Sequence, residues 1–146
     1  MGLREALRGR RVYLDANVFI YLVEGSMEFE AKLAEIRQCI FHAECEFVTS
    51  ELTLCEVLVR PFQQSNAALV DEFRALIERS EAFELKPTTL QTYIRASLYR
   101  AQLGLKTPDA VHMATAVESN CDVFVTNDKP MKAPQQIKML KLREVS

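Results

Sequence analysis

The chain has 146 residues, of which 49% are hydrophobic and 26% charged, and its formal net charge is −2. This composition excludes a disordered polypeptide, and the length fits a single domain over residues 1–146. No apolar run approaches the roughly 20 residues that cross a membrane, and the N-terminus lacks the pattern of a signal peptide. We therefore expect a cytoplasmic protein without a membrane partner.

The first half of the chain alternates short apolar runs with amphipathic segments. The predicted elements are strands at 11–14 and 46–48 and helices at 17–23, 28–41 and 51–59. The first run is continuous and β-prone, which is typical of a strand buried on both faces of a parallel sheet. Ser50 is the expected N-cap of the third helix, Leu52, Cys55 and Val59 its buried stripe, and Pro61 its end.

The second half continues the alternation of helices and strands. The predicted helices are 66–79, 89–103 and 107–119, and the predicted strands are 83–85, 123–125 and 137–142. Gly104 is the expected C-cap of the second of these helices. Thr107 and Pro108 are the expected N-cap and first residue of the third. The alternation predicts an α/β fold, a three-layer α/β/α sandwich around a parallel sheet of four to five strands.

Four carboxylates occupy positions from which they can meet. Asp15 ends the first strand, Asp128 follows the fourth, Asp109 lies in the first turn of a helix, and Glu56 lies opposite its helix's predicted apolar stripe. Ligands bind such folds at the carboxyl ends of the strands, so we expect one shared pocket there. Clustered acids repel each other unless cations join them, and oxygen ligands suit Mg²⁺ or Mn²⁺. Such ions can activate a water molecule against a phosphodiester.

Four further side chains are expected to support these acids: Asn17, Thr53, Thr126 and His112. Each residue also has a purely structural interpretation. Asp109 is favoured by the helix dipole, Asp128 suits a turn, Glu56 suits a solvated helix face, and His112 suits a packed helix. Asp15 is the exception, because it ends a buried strand without a following turn signal. The joint arrangement, rather than any single residue, indicates a metal site.

Two other groups of residues carry weaker signals. Cys39, His42 and Cys45 share a helical spacing that would suit zinc, although reduced thiols are the favoured interpretation. Both ends of the chain are basic and are expected to supply contacts to phosphate, although scattered solubilising charge explains any single one of these residues equally well. The basic residues are Arg4, Arg8, Arg10, Arg11, Lys129, Lys132, Lys138, Lys141 and Arg143.

Four stretches of the chain together resemble the motifs of the PIN-domain nucleases. They are YLDANVF at 13–19, TLCE at 53–56, LKTPDAVHMATA at 105–116 and VTND at 125–128. The third stretch is long and specific, and the first is nearly as specific. Size and layout are most similar to the VapC-type toxins of toxin–antitoxin pairs.

The resemblance implies Mg²⁺- or Mn²⁺-dependent cleavage of RNA by an endoribonuclease. It implies that Asp15, Glu56, Asp109 and Asp128 are the catalytic, metal-binding acids, supported by Asn17, Thr53 and Thr126. It also implies a homodimer and a small antitoxin partner. The residues leave two alternatives open. One is a non-catalytic binding module, and the other is an aspartyl phosphatase with Asp15 as nucleophile.

Overall fold

The computed structural model describes residues 2–127 and 129–144, and its described part contains a five-stranded parallel sheet. The strands are β1 (Arg11–Leu14), β2 (Glu46–Ser50), β3 (Phe83–Lys86), β4 (Val123–Thr126) and β5 (Lys138–Lys141). Their spatial order is β3-β2-β1-β4-β5, and every neighbouring pair is parallel. Strands β2 and β3 therefore lie on one side of β1, and β4 and β5 lie on the other. This places a switch point between the carboxyl ends of β1 and β4, where such folds bind ligands.

Helices cover both faces of the sheet, which confirms the predicted three-layer architecture. They are α1 (Leu3–Leu7), α2 (Ala16–Glu24), α3 (Glu30–Phe41), α4 (Glu51–Val57), α5 (Val59–Gln63), α6 (Ala67–Arg74), α7 (Leu90–Leu103) and α8 (Thr107–Glu118). A wider π-helical turn, Ala75–Arg79, extends α6. None of the described helices is long and apolar enough to cross a membrane.

The core has two parts because side chains alternate across each strand. Val12 and Leu14 of β1 belong to one cluster, which also contains Phe19, Leu33 and other residues of the N-terminal helices. Tyr13 points to the opposite face, into a second cluster that contains residues of α7 and α8. Since β1 is buried on both faces, its end forms a rigid base for Asp15.

The structure corrects the predicted third helix. Pro61 does not end it: the helix breaks at Leu58, and Pro61 is the third residue of α5, where a missing N–H leaves no hydrogen bond unmade. The predicted buried stripe is also wrong, because Cys55 and Val59 are exposed while Thr53 and Val57 are buried. The break puts Val59 on a different helix, which removes it from the predicted face.

The start of α8 and the presence of α1 also differ from the sequence prediction. Lys106, not Thr107, is the N-cap of α8, because its carbonyl accepts the first helical hydrogen bond from the Ala110 N–H at 2.9 Å. The short helix α1 was not predicted. It forms because Leu3 and Leu7, one turn apart, are both fully buried in the core.

Candidate active site

Asp15 lies at the end of β1 and is the N-cap of α2. Its carboxylate is buried and accepts three hydrogen bonds: Oδ1 from the Ala16 N–H at 2.8 Å, and Oδ2 from Thr126 Oγ1 at 2.7 Å and Asn17 Nδ2 at 3.1 Å. The strand end, the helix start and the neighbouring strand β4 therefore all orient this one side chain.

The surroundings of Asp15 favour its charged form. Burial alone would raise the pKa of the carboxyl, because a buried charge loses its hydration. His112 and Lys129, together with the hydrogen bonds from Thr126 and the Ala16 N–H, outweigh this effect and lower the pKa. Asp15 is thus a permanent negative charge at the sheet edge at neutral pH.

A lysine joins Asp15 to Asp109. The ammonium nitrogen of Lys129 lies 3.3 Å from Asp15 Oδ2 and 3.2 Å from Asp109 Oδ1. Asp109 is in the first turn of α8, as predicted, and its side chain is largely buried. The structure thus brings two of the predicted acids within reach of one cation.

His112 joins Asp15 to Glu56. Its Nδ1 lies 2.5 Å from the hydroxyl of Tyr13, and its Nε2 is hydrogen-bonded to Glu56 Oε1 and lies 3.8 Å from Asp15 Oδ1. Burial raises the pKa of Tyr13 well above its usual value, so the hydroxyl keeps its proton. The imidazole is fully buried and holds Glu56 towards the sheet edge. The expectation that His112 faces the site agrees with this geometry.

Two asparagines hold the backbone N–H groups of Asn127 and Lys129, which follow β4. Asn17 Oδ1 accepts a hydrogen bond from the Asn127 N–H at 3.1 Å, and Asn127 Oδ1 accepts one from the Lys129 N–H at 3.1 Å. Asn17 thus supports both Asp15 and the backbone of Asn127. Asp128, the fourth predicted acid, lies outside the described residues.

Thr53 is fully buried, and its hydroxyl contacts the sheet. Its hydroxyl is 2.6 Å from Thr49 Oγ1, which donates to the Leu14 carbonyl at 3.1 Å. This contact ties α4 to the sheet one turn before Glu56. Any support that Thr53 gives to the acids is therefore indirect, through the placement of α4.

A pocket of ≈ 400 Å³ opens beside the acids. Glu56, Asp109 and Lys129 line one part of it, and Lys106 adds a second cationic side chain. The remaining lining is mostly apolar: Leu105, Pro108, Pro130 and Met131.

Sequence reasoning missed two members of this site. Tyr13 is one of them, and its sequence context gives a signal, because a hydroxyl in a strand buried on both faces needs a polar partner. Lys129 was grouped with the basic C-terminal residues, and its contact with two acids depends on the meeting of β1, β4 and α8. Only the first omission had a signal in the sequence.

The donor set fits a hard divalent cation. Asp15 and Asp109 offer carboxylate oxygens, and the position between them already accommodates the positive charge of Lys129. Among residues 2–127 and 129–144, however, no three metal-binding side chains form a ready-made cage. Asp15 and Asp109 are the residues that would hold the ion. Asp109 and Glu56 line the pocket, whereas Asp15 lies buried behind it, within reach of Lys129.

The other predicted groups lie elsewhere. Arg4 and Arg11 pair with Glu44 and Glu84 near the amino ends of the strands, away from the acids, so they are poor candidates for phosphate contacts there. His42 Nε2 meets Gln38 Oε1 on the surface, whereas Cys39 is buried. In the part of the chain that the structure describes, no zinc-binding cluster includes these residues.

Solved structures of known proteins share this fold. One is a toxin–antitoxin complex from Klebsiella pneumoniae, with a TM-score of 0.65 and 20% identity over 87% of this chain and 95% of that one. Another is VapBC2 from Rickettsia felis bound to a DNA fragment from its promoter, with a TM-score of 0.66 and 14% identity over 90% and 98% of the two chains. The comparison with curated proteins gave no match.

The sequence itself shows the family. Residues 12–135 match the PIN domain, and this range contains all four stretches on which the resemblance rested. The match begins within β1 and ends after Lys129, so it includes the buried Asp15 and the whole described acidic site. The chain therefore belongs to the PIN-domain family.

Proposed function

We propose that this protein is a cytoplasmic endoribonuclease that depends on Mg²⁺ or Mn²⁺ and hydrolyses RNA at the acidic sheet edge. The observation that carries the proposal is the pair Asp15 and Asp109, whose carboxylates lie 3.3 and 3.2 Å from one shared positive charge. Two ionised acids that face one cation are costly to maintain for stability alone. They are useful where a metal ion must be held against a phosphate.

Each residue of the site has a part in this chemistry. Asp15 and Asp109 bind the ion, Glu56 and Asp128 complete the acidic set, and Asn17 and Thr126 keep Asp15 oriented. The ion, when bound, supplies positive charge that activates water and stabilises the leaving oxygen. The lysines of the pocket, Lys106 above all, are placed to contact RNA phosphates.

The proposed reaction is simple hydrolysis. The oxygen of water forms a bond to phosphorus, the bond to the 3′-oxygen breaks, and that oxygen takes a proton. The products carry 5′-phosphate and 3′-hydroxyl ends. Attack by the 2′-hydroxyl of the RNA would instead leave 2′,3′-cyclic phosphates, and it usually requires two positioned acid–base groups.

We further propose that the protein is the toxin of a toxin–antitoxin pair and acts as a homodimer. The two solved structures named above are toxin–antitoxin assemblies, which supports a small antitoxin as the partner of this chain. Co-expression with the product of the neighbouring gene, followed by purification of the complex and an assay of its RNA cleavage, tests this part. The antitoxin is expected to copurify and to suppress cleavage.

The nuclease itself is tested with purified protein and total cellular RNA. Cleavage is expected with Mg²⁺ or Mn²⁺, is expected to stop with EDTA, and is expected to be lost in Asp15→Asn. Asp71→Asn is the matched control, because Asp71 is an exposed acid on α6 that pairs with Arg79 and, among the described residues, forms no ion pair with the acidic site. Mapping of the product ends distinguishes hydrolysis from attack by the 2′-hydroxyl. Binding of Mn²⁺ and RNA without cleavage would instead indicate a non-catalytic binding module.

A further inference from the structure

We propose that Lys129 is a tethered counter-ion of the acidic site. Its ammonium group holds the position between Asp15 and Asp109 that a divalent cation takes, and it leaves when that cation binds. The inference rests on the proposed metal-dependent function and adds a competition between the protein's own cation and the metal ion.

The geometry places the ammonium between the two acids and not beside one of them. The distances from Lys129 Nζ to Asp15 Oδ2 and Asp109 Oδ1 differ by only 0.1 Å, at 3.3 and 3.2 Å. Asp15 follows β1 and Asp109 begins α8, so the lysine crosses between two elements that otherwise present like charges to each other. The two carboxylates therefore determine where the ammonium group lies.

Lys129 brings a positive charge to the two acids. A lysine side chain is ordinarily protonated at neutral pH, and this one lies within 3.3 Å of both carboxylates. It supplies the neutralisation that a pair of buried carboxylates needs when no metal is bound.

The lysine is both anchored and able to move. Its backbone N–H donates to Asn127 Oδ1, and the Asn127 N–H donates to Asn17 Oδ1, so the main chain is fixed beside Asp15. The side chain keeps 32% of its surface exposed and borders the open pocket. The four-carbon stem can therefore swing the ammonium into the pocket without displacing the main chain.

A competing internal cation must weaken metal binding. Removal of the ammonium leaves the acids uncompensated, so the metal-free protein loses its counter-charge and the ion gains affinity. The expected gain is on the order of tenfold, the weight of one charge-assisted hydrogen bond. Lys129→Met removes the charge with little change of shape, whereas Lys129→Arg retains it.

Isothermal titration of Mn²⁺ into the full-length protein tests the competition. Lys129→Met is expected to bind Mn²⁺ about tenfold more tightly than the wild type, and Lys129→Arg to stay within about threefold of the wild type. Lys132→Met is the matched control for a general change of charge, because Lys132 is an exposed lysine three residues further on. It is expected to leave the affinity unchanged.

The outcomes separate this inference from the proposed function. Equal or weaker Mn²⁺ binding by Lys129→Met, with a wild type that binds, would overturn the role of Lys129 and leave the metal site intact. A wild type that binds no Mn²⁺ would overturn both. A gain as large in Lys132→Met as in Lys129→Met would reduce the effect to overall charge and would also overturn the inference.

The displacement of the Lys129 ammonium group can be followed by NMR in the wild-type protein. In protein labelled with ¹⁵N-lysine, the ammonium signal of Lys129 is identified by its absence from Lys129→Arg. Addition of Mg²⁺ is expected to shift this signal while leaving that of Lys132 in place. An ammonium signal that does not change at Mg²⁺ concentrations that saturate the site would contradict the proposal.

Discussion

At the scale of single residues, the carboxylate of Asp15 has hydrogen-bond partners on both of its oxygens. Its two oxygens accept hydrogen bonds from a backbone N–H, a hydroxyl and an amide, and Lys129 adds a full positive charge. A buried carboxylate survives in its charged form only with this number of partners. The position is therefore strongly charged and rigid, which suits the binding of a hard cation.

Thr126→Val removes one of these partners while retaining the size of the side chain. The variant leaves Asp15 Oδ2 without its 2.7 Å hydrogen bond, so we expect the free energy of unfolding to fall by about 1–3 kcal/mol. Urea denaturation at neutral pH measures the change. Thr126→Ser keeps the hydroxyl and should lose clearly less stability, and equal stability of wild type and Thr126→Val would contradict the assigned contact.

Glu44 provides a test that depends on pH. Its hydrogen bond and ion pair with Arg4 lower the pKa of the carboxyl from 4.5 to about 2. A carboxyl whose pKa is lowered by folding stabilises the protein above its unfolded pKa, and this contribution is lost as the pH falls towards the folded pKa. The stabilising effect should therefore be complete above about pH 4.5 and lost towards about pH 2.

Comparison of Glu44→Gln with the wild type measures this effect. The difference in unfolding free energy should be largest near neutral pH and should shrink on acidification through that window. Glu5→Gln is the control, since Glu5 is an exposed glutamate on α1, the helix that carries Arg4, the partner of Glu44. A difference that stays constant with pH would exclude the ion pair as its cause.

The chemistry of the site could be read from the sequence only in part. Asp15 and Asp109 were predicted because a strand end and a first helical turn are positions that sequence patterns locate well. The shared cation was not, since Lys129 meets them only after three elements assemble. The contact of Thr53 with Thr49 could not be read either, because it depends on how α4 packs against the end of β2.

At the scale of elements, the strands were predicted more accurately than the helices. Continuous β-branched and aromatic runs mark the three central strands, β1, β2 and β4. All five strands lie within two residues of their predicted bounds. Helix α1 is five residues long and was not predicted, because so short a segment has no measurable periodicity. Its stability comes from the burial of Leu3 and Leu7, which is a tertiary effect.

Gly104 tests the ending of α7. It adopts the left-handed conformation, with φ at 67°, and an added Cβ would meet no atom within 4 Å. Gly104→Ala should therefore lower the free energy of unfolding by about 1 kcal/mol through backbone strain alone. Thermal denaturation of the variant measures this loss.

Gln102→Ala, at an exposed position two residues earlier, is the matched control for an added alanine near the end of α7. It should change stability by less than about 0.5 kcal/mol. A loss in Gln102→Ala as large as that in Gly104→Ala would show that backbone strain at Gly104 is not the cause.

At the scale of the whole molecule, the order of the strands creates the site. Asp15 and Thr126 become neighbours because β1 and β4 are adjacent, although more than a hundred residues separate them. Alternating strands and helices predict a parallel sheet but do not specify this order. The strand order was therefore not predicted from the sequence. The match over residues 12–135 confirms the resemblance of the four motifs to the PIN family.

A single comparison of cleavage rates tests the proposed nuclease. Wild type, Asp109→Asn and the control Asp71→Asn are incubated with the same RNA at saturating Mn²⁺, and initial rates are measured. We predict that Asp109→Asn cleaves at least about a hundredfold more slowly, because it removes a charge on which the bound ion depends, while Asp71→Asn cleaves at the wild-type rate. Equal rates for Asp109→Asn and the wild type would contradict the assignment of the acidic sheet edge as the catalytic site.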